Sequence, residues 1–547
     1  MAEGRERSES GHRCGMAGLS PRRLPPPLTL WMWAVLLVSL LTPGATLTEK
    51  RLLDQRPNFI IMLMDDMGYG DLGSMGEPNR ETSNIDSMAQ EGMLFPEFYT
   101  GAAICSPSRA AMLTGRLPIR NGFYSTNNFG HNAYTPQEIV GGISDSEVLL
   151  PELLSKAGYT NALIGKWHLG HRPQYQPLDH GFHSWFGSPN CHFGPYDDKS
   201  TPNIPVYRDR NMMGRYYEDF HINITSGESN YTRLLADEAV AFLEAQVNSI
   251  RPFFLLWTPD ASHAPHYASR PFLGRSRRGL YGDAVMELDH SVGRILDTLK
   301  RTNLTNTLVF FSSDNGAALV DAGYGGDNGR LLCGKQTTFE GGFRVPTIAW
   351  WPGVVPPGQV SQQVGTQMDL FTTFAELAGQ AIPGDRIVDG INLVSALTNE
   401  NTTERSVFFY RGDLLMATRV GRYKAHTWTF TTPVEELKKG IDHCPGACVA
   451  NLTTSVQINR TLTPVVIDLA RDPGETYPLK MGTAEYTRVV SEVWKVMDEH
   501  LHDMVEGRPA LDWCDDAVMN WSPPGCEALH ECLRAPASDP YKCDWPH

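Results

Sequence analysis

Four apolar runs of strand length punctuate the chain: FIIMLM at 59–64, NALIG at 161–165, FFLLWT at 253–258 and TLVFFSS at 307–313. None alternates with polar residues along its length, so each predicts a strand covered on both faces, the condition of a central parallel strand. PELLSKAG ahead of the second run reads as a helix. Between the third and fourth runs Val285, Leu288, Val292, Ile295, Leu296 and Leu299 recur on one helical face, which predicts a helix over 283–300. Alternating strands and helices imply a wound α/β sheet with helices on both faces. Ligands of such sheets sit beyond the carboxyl ends of the strands. All four runs end in polar chemistry there: Asp65-Asp66, then Lys166 and His168, then His263, then Asp314-Asn315. Any one of these is most simply a turn, a cap or solvated surface. Four in register with four strands point to one shared site.

Further along, the pattern changes. A loop at 352–364 and a helix at 369–379 finish a first domain, placed at 56–405. VFFYRG, LMATRVG and YKAHTWTF, between 407 and 430, are short strands separated by turn residues, as in an antiparallel meander. VVIDLARDPGE at 465–475 adds a strand and a turn, and 484–501 a closing helix, giving a smaller α+β domain over 406–509. The cysteine-rich tail, 510–547, holds four cysteines and little apolar material, so disulfides are expected to fix it against the main body. QTTFEGGFRVP at 336–346 is Gly-rich but lacks the spacing of a phosphate-binding loop, so no nucleotide site is read there.

The densest chemistry lies in CSPSRAAMLTGR, 105–116. Pro107 belongs at the first helical position, where its missing N–H is harmless, and Gly115 can stop the helix. Cys105 then sits at a helix N-terminus, where free amides and the dipole favour an anion, with Arg109 one turn on. An isolated Cys-x-Pro more often marks a buried or disulfide-bonded cysteine. Asp65, Asp66, Asp314 and Asn315 offer only oxygen, the donor type that hard cations such as calcium or magnesium prefer.

Length, charge and cysteines set the compartment. The 547 residues exceed one ordinary core, and a net charge of −15 with no basic stripe excludes a nucleic-acid binder. LTLWMWAVLLVSL at 29–41 follows Arg22 and Arg23 and leads to small residues with a cut near Ala45, a signal-peptide pattern that makes 1–45 a leader. Met16 offers an alternative start, and a retained signal anchor is the other reading of this run. No later stretch has the length to span a bilayer, so the mature chain carries no membrane span. Seven sequons, at Asn223, Asn230, Asn303, Asn401, Asn451, Asn459 and Asn520, suit the secretory pathway as glycosylation acceptors. Ten cysteines suit an oxidising lumen yet are few for this length, so the core must carry stability.

C-x-P-S-R followed by Leu113, Thr114 and Gly115 resembles the signature of the sulfatase family. GKWHLGHRPQ, SPNCHFGPYD, LLCGKQTTFEGG and VMNWSPPGCE extend the resemblance over nearly the whole mature chain. It implies an alkaline-phosphatase-like fold. It also implies that the formylglycine-generating enzyme oxidises Cys105 to Cα-formylglycine, whose hydrate has one hydroxyl to attack sulfur and a second to expel sulfate. By the same resemblance one calcium ion is held by Asp65, Asp66, Asp314 and Asn315 together with residue 105. Arg109, Lys166, His168, Tyr134, His263 and Lys335 would line the sulfate pocket. Arg109 and Lys166 would stabilise the hydrate, His168 would take its proton, and His263 and Lys335 would bind sulfate and assist the leaving oxygen. With an ordinary pKa of about 6.5, His263 would be largely protonated in an acidic lumen and able to act as acid. Disulfides Cys333–Cys444, Cys514–Cys543 and Cys526–Cys532 are implied in the same way, leaving Cys191 and Cys448 over. The implied function is a lysosomal, homodimeric exo-sulfatase. It would remove 6-sulfate from N-acetylgalactosamine in chondroitin sulfate and from galactose in keratan sulfate, acting on glycosaminoglycan chain ends. A phosphate-ester hydrolase of the same superfamily would present Ser or Thr with zinc, against which CSPSR argues. A silent binder of sulfated glycans would be free to lose the cysteine or acidic residues, and none is missing.

Overall fold

The computed structural model describes residues 56–127, 138–192, 204–319, 325–445, 449–519, 523–530, 532, 534 and 537–543. The leader, Tyr134, Cys448 and Asn520 lie outside these residues.

The four apolar runs form β1 (Asn58–Met64), β2 (Thr160–Gly165), β3 (Phe253–Thr258) and β4 (Thr307–Ser313). They are parallel neighbours at the centre of a ten-stranded sheet, in the order β4-β1-β3-β2. Successive side chains of a strand point to opposite faces, and here both faces are covered. Phe59, Ile61 and Leu63 join one core with Leu370, Phe371 and Phe374, whereas Ile60, Met62 and Met64 join another with Leu235, Val285, Leu288 and Val292. The helix expected at 283–300 runs Gly279–Arg301, and that at 369–379 runs Met368–Leu377. Outward from β4 come β5 (Ile348–Trp350), antiparallel to it, then Met93–Leu94 and Gln359–Val360. Outward from β2 come Ser184–Gly187, Pro205–Arg208 and Asn211–Arg215. The sheet is therefore mixed, parallel at its heart with antiparallel pairs among its outer strands.

The second sheet is an antiparallel ladder of β6 (Ser406–Arg411), β7 (Leu414–Val420), β8 (Tyr423–His426) and β9 (Val465–Asp468). The closing helix, Ala484–His502, turns Val489, Val493 and Met497 onto it, in a core that also contains Leu117 and Ile119. Buried ions add a second bond between the two layers. Lys424 Nζ of β8 lies 3.1 Å from both Glu340 Oε1 and Glu475 Oε1, and His426 Nε2 lies 2.7 Å from Glu475 Oε1. Glu340 N donates to Glu475 Oε2 at 2.7 Å, and Tyr99 OH to Glu340 Oε2 at 2.7 Å.

All three implied disulfides are present, and Cys333–Cys444 links the two sheets' surroundings. The tail departs from expectation. Both of its disulfides, Cys514–Cys543 and Cys526–Cys532, close within the tail and do not fasten it to the body. Burial of Leu511, Cys514 and Cys543 in the first core holds it instead. Asp512 adds to this by accepting from Ser125 Oγ at 2.9 Å and from Thr126 N at 2.8 Å. Asn230, Asn303, Asn401, Asn451 and Asn459 are exposed, and Asn223 is half-buried. Among the described residues no helix is long and apolar enough to cross a membrane.

Candidate active site

The helix bearing the cysteine, α1, spans Cys105–Thr114, capped by extended Ile104 and stopped by Gly115 at φ 68°. It starts two residues earlier than Pro107 suggested. Proline fits at the third position because the first-turn amides have no intrahelical partner to lose. Cys105 is thus itself the first helical residue and is buried, 2% exposed. Ser108 and Thr100 brace the helix. Ser108 Oγ donates to Gln367 Oε1 at 2.9 Å, and Thr100 Oγ1 to the Asp314 carbonyl at 2.7 Å. Neither Gln367 nor Thr100 carries a sequence signal that sets it apart.

The strand ends converge on this cysteine. Its Sγ lies 3.4 Å from Asp65 Oδ1 and 3.8 Å from Asp66 Oδ1. Asp66 adopts a left-handed φ of 62°, and its amide donates to Asp314 Oδ1 at 3.1 Å, tying the ends of β1 and β4 together. Lys166 Nζ donates to Asp65 Oδ2 and Lys335 Nζ to Asp66 Oδ2, each at 2.7 Å. Arg109 grips Asp314 Oδ2 through Nε at 3.1 Å and Nη2 at 2.8 Å, and its Nη1 reaches the Lys166 carbonyl at 3.1 Å. His263 Nε2 lies 3.3 Å from Lys335 Nζ and 3.7 Å from Asp66 Oδ2. His168 is buried in the field of Lys166, Arg109 and Asp65. The structure thus brings together the sequence-identified site residues, apart from Tyr134, which lies outside the described residues.

The electrostatics assign protons. Burial opposes ionisation of Asp65, yet Lys166, His263, Arg109 and Lys335 together hold it well below the usual carboxylate range. Asp314 is raised to about 6 by burial and by Asp65, against the pull of Arg109. Burial and then Asp314 push the Cys105 thiol well up, so an unmodified Cys105 is not a thiolate nucleophile. Burial, followed by Lys166 and Arg109, drives His168 well down, leaving a neutral ring able to accept a proton. His263 departs from expectation. Burial and the Lys335 ammonium lower it to about 4, so at pH ~5 the resting ring is mostly neutral and not largely protonated as its ordinary pKa implied. Its Nδ1 faces the Ala264 carbonyl at 2.7 Å, which places hydrogen on Nδ1 and leaves Nε2 to accept from Lys335.

A hard dication fits these residues. Asn315 is fully buried with Nδ2 donating to Asp66 Oδ1 at 2.7 Å, while its Oδ1 has no hydrogen-bond partner among the described residues. An orphaned acceptor beside Asp65, Asp66 and Asp314 matches an oxygen-coordinated cation. Charge leads to the same conclusion. The three carboxylates cancel Arg109, Lys166 and Lys335, and a dication would restore the positive field an anionic substrate needs.

The model described as Sulfatase matches residues 57–380, and that for the C-terminal region of aryl-sulfatase matches 402–534. The chain belongs to the sulfatase family. It is a sulfuric ester hydrolase with an alkaline-phosphatase-like fold. It is 59% identical over 495 residues to the N-acetylgalactosamine-6-sulfatase of Canis lupus familiaris, spanning 90% of this chain and 95% of that protein. The Homo sapiens protein of the same name is 58% identical over the same shares. The crystal structure of a sulfatase from Pseudoalteromonas sp. superposes with a TM-score of 0.70 at 27% identity, covering 84% of this chain and 94% of that one. Formylglycine and calcium are the general equipment of this family.

Proposed function

We propose that this sulfatase removes 6-sulfate from N-acetylgalactosamine and galactose at the ends of chondroitin sulfate and keratan sulfate chains. The observation that carries the reading is the 58–59% identity to N-acetylgalactosamine-6-sulfatases across 90% of the chain, with the buried Cys105 cluster intact within it. The signal pattern and exposed sequons support a lysosomal destination through the secretory pathway, and the resemblance supports a homodimer.

Formylglycine, made from Cys105 by the formylglycine-generating enzyme, supplies the hydroxyl pair, and calcium supplies charge neutralisation and orientation. Asp65, Asp66, Asp314 and Asn315, with residue 105, would hold that ion. The chain's own residues do the rest. Lys335, pinned to Asp66, presents its ammonium where a sulfate oxygen binds, and His263 Nε2 orients that ammonium. Lys335 and His263 together assist the departing sugar oxygen. Neutral His168 takes the proton released when sulfate leaves, Lys166 and Arg109 help keep Asp65 ionised, and Arg109 holds Asp314 in place. Tyr134 is assigned to the sugar-facing wall.

The test is a side-by-side panel of four sulfated sugars at acidic pH. The 6-sulfates of N-acetylgalactosamine and galactose are expected to turn over at least about tenfold faster than N-acetylgalactosamine 4-sulfate and N-acetylglucosamine 6-sulfate, the scale of one mismatched pocket contact. Preference for either of the latter pair would leave a sulfatase and remove the named substrate. Metal analysis is expected to find calcium near one per chain. Zinc in its place, with phosphatase activity, would favour the phosphohydrolase reading.

A further inference from the structure

The turn that presents His263 runs from Asp260 to Pro265, and a single ring from elsewhere in the chain holds both of its ends. His192 is fully buried. Its Nδ1 lies 2.8 Å from Asp260 Oδ2 and its Nε2 lies 2.8 Å from the Pro265 carbonyl oxygen. Burial opposes ionisation of Asp260, but His192 and Tyr267 outweigh it and keep the carboxyl below its usual range.

Around this bridge every link leads to the site. Tyr267 OH donates to Asp260 Oδ1 at 2.6 Å and Tyr216 OH to Asp260 Oδ2 at 3.2 Å. The Asp260 carbonyl accepts from the His263 amide at 3.0 Å, and Ser262 Oγ donates to the Asp65 carbonyl at 2.7 Å. The rings of His192 and His263 meet edge to face with centroids 6.0 Å apart. The segment leading to His192 also accepts from the Trp167 amide at Ser188 and from the His168 amide at Pro189, at 2.9 and 3.0 Å. One short stretch therefore fixes the backbone on both sides of the site, and its histidine clamps the His263 turn.

We propose that His192 is a positioning residue for turnover: by bridging Asp260 and Pro265 it aims His263, and through it Lys335, at the sulfate. This rests on the reading of His263 as part of the sulfate pocket. A glutamine at this position fills much of the ring's volume but reaches only one end of the turn at a time. In the secreted full-length protein, His192→Gln is expected to lower kcat about 100-fold with the formylglycine content unchanged, the scale of a small misplacement in a preorganised site.

A double-mutant cycle separates positioning from general support. With inorganic sulfate as the probe in calorimetry, His192→Gln is expected to weaken binding about tenfold in the wild-type background and less than about twofold beside His263→Ala. An equal loss in both backgrounds, or a kcat within about threefold of wild type, overturns the proposal. If His192→Gln is not secreted, Tyr267→Phe removes one donor from Asp260 and leaves the ring in place. It should lower kcat about tenfold, and an unchanged kcat would overturn the proposal equally. Failure of the underlying reading looks different: His263→Ala alone would then leave both sulfate binding and kcat unchanged.

Discussion

Cys105→Ser is expected to secrete and fold like the wild type while losing at least about 10⁴-fold in kcat, the scale of removing a nucleophile outright. The substitution is nearly isosteric at a buried position whose sulfur lies against Asp65 and Asp66, so the packing of α1 has no reason to change. What disappears is the chemistry. A serine hydroxyl can accept the sulfuryl group, but it has no second hydroxyl with which to expel it. The thiol of an unconverted Cys105 is no substitute, because burial and Asp314 keep it protonated. Sustained turnover by Cys105→Ser, measured on the 6-sulfated sugars, would contradict the assignment of residue 105 as nucleophile.

The largest expected effect on stability comes from Glu475→Gln. Glu475, Glu340, Lys424 and His426 are all fully buried, so the pair Lys424–Glu475 has no water to fall back on. The substituted side chain would set an amide N–H against donors and leave Lys424 with Glu340 alone, a loss of about 3–5 kcal/mol for breaking a buried pair. The acid dependence points to the same magnitude. Burial opposes ionisation of Glu475, but Lys424 and His426 bring it from 4.5 to about 2, which corresponds to about 3 kcal/mol. A depressed carboxyl contributes stability that is complete above its unfolded value and is lost as pH falls through the folded one. Here that contribution is present above about 4.5 and disappears toward about 2. Denaturant titrations of both proteins should show the full gap at pH ~7 and pH ~5, narrowing at pH ~3. A gap that widened with acid would contradict the assigned charge state.

What could be read in advance followed from burial symmetry. β1 to β4 were legible because strands covered on both faces must be apolar throughout, and the polar residues just after them were legible because a sheet's carboxyl ends meet. β5 and the two-residue strands Met93–Leu94 and Gln359–Val360 had no such signal, since pairing alone makes so few residues a strand. The lowered pKa of His263 was illegible for a similar reason. Its sequence neighbours say nothing of Lys335, 72 residues away, whose ammonium lowers it. His192 and Asp260 were likewise too far apart, 68 residues, for any periodicity to join them. The tail's cysteines showed that disulfides were needed, and their pairing within the tail came from the family resemblance and not from any pattern in the residues, although the hairpin of Trp513–Cys514 with Tyr541–Lys542 brings Cys514 to Cys543.

The central claim is that residue 105 works as an aldehyde hydrate inside a calcium-dependent sulfatase site. Mass spectrometry of the tryptic peptide 81–109 from active, secreted enzyme tests it most directly, because that peptide ends at Arg109 and contains Cys105 as its sole cysteine. The expected result is the formylglycine mass, in a fraction that tracks specific activity from one preparation to the next. Fully active enzyme whose peptide carries only the cysteine thiol would contradict it.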